Sequence, residues 1–123
     1  MSTDLACIIY ADASSDQLRQ LLHKNSNVTI SSVQNNSIEV VRNVDSDPVK
    51  GQQFPDGFLY FQQRIEIFPI DSEVIVLESQ IALVSMILNC LWVSKIPAVA
   101  ACDYEDSLPN NGGYKCAEGY QRK

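Results

Sequence analysis

Histidine is almost absent from the sequence: His23 is the single one. A nucleophile–base constellation needs a base beside a nucleophile and a third group to orient it. Nothing near His23 in the sequence supplies these, so it reads as a surface histidine at a helix end. The four cysteines, Cys7, Cys90, Cys102 and Cys116, include no CxxC pair. Zinc sites usually draw two ligands from one tight turn, so no metal is expected of them. Cys7, Cys90 and Cys102 lie in apolar runs that suit buried thiols, while Cys116 lies in a polar segment. A reducing compartment accommodates all four as thiols, although loop length permits a Cys102–Cys116 bridge. The glycine patterns GxxxxGK[ST] and GxGxxG are missing too, so no phosphate cradle and no nucleotide cofactor are expected. Basic residues are few, 9 against 15 acidic ones, for a formal net charge of −6. That field repels phosphate backbones and excludes nucleic acid as an expected partner, while it suits a basic protein.

Also missing is a basic segment ahead of an apolar run in "MSTDLACIIYAD", where Asp4 stands in place of the Lys or Arg of a secretory leader. A cytoplasmic location is the expectation. The most apolar stretch, residues 71–95, is interrupted by Glu78, Ser79, Gln80 and Asn89 and has no flanking basic cluster. It reads as a buried helix rather than a membrane span.

What the sequence does contain is the patterning of one packed domain. Its 123 residues are 46% apolar and 20% charged, ordinary values for a globular chain with one core. "LACIIY", residues 5–10, reads as a strand buried on both faces. Ser14 and Gln17 form a capping-box pattern, and Leu18, Leu21 and Leu22 give the following helix a narrow apolar stripe. "VTISSVQNNSIEVVRNVD" reads as two strands joined by a turn at Asn35-Asn36, with Val28 and Ile30, then Ile38 and Val40, alternating with polar residues. Residues 45–57 carry turn residues and form a loop.

"FLYFQQRIEIFPI", residues 58–70, reads as one long strand. Leu59, Phe61, Ile65 and Ile67 form its core face, while Tyr60, Arg64 and Glu66 face solvent or a partner. Residues 71–95 follow as a helix that buries Leu77, Ile81, Val84, Leu88, Leu91 and Trp92, although the β-branched "EVIVL" also suits a strand. Pro97 ends this helix, and "AVAAC", residues 98–102, is a strand of small side chains. The element order β-α-β-β-β-α-β, with its break among the middle strands unsettled, predicts an α+β sandwich. That sandwich has a mainly antiparallel sheet with two helices on one face, in the ferredoxin-like split βαβ arrangement. Residues 1–109 form the domain and residues 110–123 are loop and tail, with "NNGGY" a turn.

The residues with most chemical potential are Asp103, Tyr104, Glu105 and Asp106, just past the last strand. Three carboxylates in four positions could hold a hard cation or divide acid and base roles, but the spacing of an EF-hand is missing. Carboxylates around an aromatic side chain suit a basic protein partner better, and solvated strand-end acids are the plain alternative. Tyr60 and Arg64, on the outer face of the long strand, add residue types common at interface centres. These residues, Asp103, Tyr104, Glu105, Asp106, Tyr60 and Arg64, are the expected partner-binding set. A pocket on the sheet lined by Tyr60, Arg64 and Asp103 is the competing expectation, for a small ligand-binding regulator or enzyme. A deep apolar pocket favours the second reading and a flat acidic surface the first.

"KIPAVAACDYEDSLPNNGGY" resembles a segment of small uncharacterised bacterial proteins in which an apolar helix runs into a GIPAVAACDFEDELP-like string. The likeness covers Ile96 to Pro109 and extends loosely to "GFLYFQQRIEIFP". Here Lys95 stands in place of the glycine and Ser107 in place of an acid. The resemblance implies no catalytic role for the string. The chain is also similar to bacterial toxin-immunity proteins in being small, acidic and without an enzymatic motif. That likeness implies occlusion of a basic toxin domain, such as a nuclease, by an acidic-aromatic surface.

Overall fold

The structure is a computed structural model that describes residues 5–25, 36–52, 56–70 and 77–113. Strand β1 is Cys7–Ala11, helix α1 Ser15–Asn25, β2 Asn36–Arg42, β3 Gln63–Pro69, α2 Leu77–Val93 and β4 Ala98–Ala101. The strands stand in the order β2-β3-β1-β4, every neighbouring pair antiparallel. The fold is α+β, with both helices packed into one core on one face of the sheet. The expected strand around Val28 and Ile30, the turn at Asn35 and the "EVIVL" alternative fall mainly outside the described residues.

The ladder register sorts the side chains. Cys7, Ile9 and Ala11 of β1 stand opposite Ile67, Ile65 and Gln63 of β3, and Ile9 and Ala11 stand opposite Ala100 and Ala98 of β4. With strand period two, all of these project to the helix-covered face. Ile9, Ala11, Ile65, Ile67 and Ala98 are fully buried there, against Leu18 of α1 and Leu83, Val84 and Leu88 of α2. The small side chains of β4 let α2 lie close to that edge of the sheet.

Helix α1 begins as its pattern predicts: Ser14 Oγ accepts the Gln17 N–H at 3.2 Å, satisfying one of the donors left over in the first turn. Helix α2 buries Gln80, Leu83, Val84, Ile87, Leu88 and Leu91. This face is rotated from the expected one, and Leu77, Ile81 and Trp92 lie half-buried at its margins. The rotation follows from Gln80, whose amide is matched inside the core by Asn36.

The expected strand over residues 58–70 is shorter. Asp56–Tyr60 is a 3-10 turn and β3 starts at Gln63. Gly57 lies against the backbone of Lys50 and Gly51, where a Cβ would come within 2.7 Å of the Lys50 carbonyl. That close approach holds the segment as a turn on the neighbouring Lys50–Gln52 turn. The alternation assigned to this segment is lost as a result. Phe58 is buried and Leu59 is 42% exposed. Phe61 joins Phe58 and Val99 in a second, smaller cluster, with Tyr10 against it. Tyr10 and Val99 face each other across β1 and β4 on the side away from the helices. This aromatic cap covers one end of that outer face.

Residues 110–113, read from sequence as loop, belong to a 3-10 turn at Pro109–Gly113 that packs on β4, with Gly112 and Gly113 buried.

Candidate functional site

Past β4 the chain turns at once. Cys102 and Asp103 lead into a 3-10 turn at Glu105–Ser107, closed by the Ser107 and Leu108 N–H groups donating to Tyr104 O and Glu105 O, each at 3.0 Å. Asp103 and Asp106 are exposed, and Glu105 is half-buried with Oε1 accepting the Cys102 N–H at 3.3 Å. Tyr104 does not join them at the surface. Its ring is 4% exposed and its hydroxyl donates to Leu5 O at 2.9 Å. The expectation that Tyr104 anchors a partner is therefore corrected. The turn reverses the chain after Cys102, so strand alternation no longer governs the next side chain, and the ring folds back into the core.

The other two expected contact residues stand elsewhere. Arg64 pairs in register with Tyr10, near the end of β1 opposite to Cys7, on the outer face of the sheet. Its guanidinium forms an ion pair with Glu66, two residues along the same face, which together with their hydrogen bond raises the Arg64 pKa further. Tyr60 ends the 3-10 turn and lies half-buried under the Lys50 ammonium, 5.2 Å from the ring centroid. Arg64 thus belongs to the outer face and Tyr60 to the turn ahead of β3, while the acidic turn follows the far end of β4. Among the described residues, the structure does not gather the expected set into one patch: Arg64 stands opposite Tyr10 at one end of the sheet, and Asp103 follows β4 at the other. Among the described residues, no group of three or more His, Cys, Asp or Glu side chains is placed to hold a metal ion. No helix there is long and apolar enough to cross a membrane.

A different concavity is present on the helix side. Helices α1 and α2 and strand β2 together line a half-open cavity of about 590 Å³. Leu21 and Leu22 of α1 wall one side, and Ile38 and Val40 of β2 another. Leu83, Met86, Ile87 and Cys90 of α2 complete the lining. Its polar groups come from Arg19 and His23, one helical turn apart on α1, and from Glu39 of β2. The volume lies within the range of sites for small organic molecules, roughly 300–1,000 Å³.

The sequence accounts for this opening. Residues four apart on a helix share a face, so Arg19 and His23 line up beside Leu22. Among the described strands β2 stands at the edge of the sheet, and Arg19 reaches across to donate to Val40 O at 3.4 Å. That bond sets a cation at the mouth of an apolar cavity. The stripe Leu18, Leu21, Leu22 was legible in the sequence. That only Leu18 is fully buried, leaving the leucine pair to line a cavity, depends on how elements distant in sequence pack together.

No family model, no curated protein and no solved structure matches this chain.

Proposed function

We propose that this protein acts by binding, and that the bound group is a small molecule or side chain with an apolar body and an acidic or hydrogen-bond-accepting end. The observation that carries this reading is the apolar cavity between α1, α2 and β2 with Arg19 at its mouth. Burial of an apolar body there gains about 25 cal/mol per Å² removed from water. A guanidinium beside it selects a head group that accepts hydrogen bonds in a planar fork. Titration with anilinonaphthalene sulfonate, an apolar body bearing one anionic group, tests this. One saturable site per chain is expected, lost in Met86→Trp, which fills the cavity. Arg19→Ala weakens the sulfonate about 10-fold, or roughly 1.4 kcal/mol, and leaves a neutral analogue unaffected. Retained binding in a folded Met86→Trp protein overturns the assignment.

A second reading keeps the acidic turn as a contact surface and makes the protein a cytoplasmic immunity protein that occludes a basic toxin domain. Its support is the exposure of Asp103 and Asp106 together with the net charge of −6. Glu105 contributes less, because one of its oxygens is turned to its own backbone. On this reading Asp103→Asn with Asp106→Asn slows association with a basic nuclease domain and flattens its salt dependence, while cavity-filling variants leave that association unchanged.

A further inference from the structure

We propose that Cys7 and Cys102 form a redox-active dithiol, a site of thiol–disulfide exchange for small disulfides of the glutathione class. The ladder between β1 and β4 sets the geometry. Ile9 stands opposite Ala100 and Ile8 opposite Ala101, so one further step brings Cys7 opposite Cys102. Directly opposed residues of an antiparallel pair have Cα atoms about 4.5–5.5 Å apart, inside the span of roughly 4.4–6.8 Å that a disulfide bridges. Opposed side chains also project to the same face. Each thiol is the largest influence on the other's ionisation, and Cys102 packs against the core cluster that contains Cys7. Both are thiols in this structure.

The two sulfurs are unequal in the way an exchange site requires. Cys7 is 1% exposed, and its thiol is pushed far up by the hydrogen bond to Cys102 and then by burial. Cys102 is half-buried, and its thiol is held below the ordinary range. The hydrogen bond from Cys7 is the main cause and the Tyr104 backbone N–H assists, against burial and the charges of Glu105 and Asp103. Cys102 is therefore the sulfur that carries the thiolate and meets solvent, and Cys7 is the buried proton holder beside it. The Cys102 thiolate attacks one sulfur of a small disulfide RSSR, forming a Cys102–SR mixed disulfide and expelling RS⁻. Once Cys102 is no longer a thiolate, the largest influence raising Cys7 is gone. Cys7 gives its proton to the departing thiolate and attacks the Cys102 sulfur, expelling the second RS⁻, which takes back from water the proton that Cys102 released on ionising. Overall, two protein thiols and RSSR become one protein disulfide and two RSH.

The test uses the full chain equilibrated with glutathione over a range of oxidised-to-reduced ratios. Remaining thiols are trapped by alkylation, the protein is digested, and the linkages are mapped by mass spectrometry. The expected result is a Cys7–Cys102 linked peptide that grows with the oxidised share and disappears on reduction, while Cys90 stays alkylated throughout. Cys102→Ser loses the linked peptide, and Cys7→Ala accumulates a Cys102–glutathione adduct that no longer resolves. Should Cys7→Ala fail to fold, the wild-type map decides alone. Both cysteines alkylated at every ratio in folded protein, or a Cys102–Cys116 linkage in place of the expected one, overturns the proposal.

Discussion

The side chain of Asn43 is shut away from solvent and yet fully occupied. Its Nδ2 donates to Leu59 O at 2.9 Å and to Phe61 O at 2.7 Å, and its Oδ1 accepts the Asp45 N–H at 3.2 Å. One amide thereby satisfies the irregular backbone between the 3-10 turn and β3, where no ladder can do so. Asn43→Ala strands these groups in a buried setting and is expected to lower the unfolding free energy by about 2–4 kcal/mol, read from urea denaturation. Neither this residue nor Gln80 was legible as structural. Asn43 reads as the polar end of a strand, and Gln80 as an interruption of an apolar helix. Each is explained by partners far along the chain: Gln80 exchanges two hydrogen bonds with Asn36, at 3.1 and 2.7 Å. Tyr104 misleads for the same reason. A tyrosine among acids looks like a surface contact until the turn that buries it is known. Local pattern reports which side chains dislike water, but not which polar ones have found a partner.

Where an element begins or ends was easier to read, because the signals are local. Ser14 caps α1 as its spacing predicts, and the apolar runs 5–10 and 98–102 overlap β1 and β4. The end of α2 adds a finding that the sequence hinted at. Lys95 has φ of 63°, and the N–H groups of Lys95 and Ile96 donate to Trp92 O and Leu91 O, each at 2.9 Å. This is a Schellman closure with a lysine in the left-handed position that glycine usually takes. Glycine at this place relieves the clash of a Cβ with the backbone. Lys95→Gly is therefore expected to stabilise the protein by about 1 kcal/mol, seen as a higher melting temperature. An unchanged or lower value contradicts the closure described. The long strand over residues 58–70 fared worse, since nothing in its own residues reveals that Gly57 must lie on the backbone of Lys50. The cavity beside α1 was likewise out of reach, because its walls come from three elements whose separation is set by packing.

The described parts of the chain come together at one carbonyl. Leu5 O, just ahead of β1, accepts Gln80 Nε2 from α2 at 3.0 Å and the Tyr104 hydroxyl from beyond β4 at 2.9 Å. Through Gln80 the same network reaches Asn36 at the start of β2. The first strand, β2, the long helix and the last turn are thus tied at one end of the sheet, the end that also holds Cys7 and Cys102. This convergence separates two contributions of Tyr104. Tyr104→Phe removes the hydroxyl but leaves Leu5 O paired with Gln80, so the loss is expected to be only about 1 kcal/mol. Tyr104→Ala also removes the ring from the core and is expected to cost about 3–5 kcal/mol. Denaturant curves for both variants check the difference. A Tyr104→Ala protein as stable as the parent would mean that the ring lies outside the core. It would return Tyr104 to the acidic turn as a contact residue.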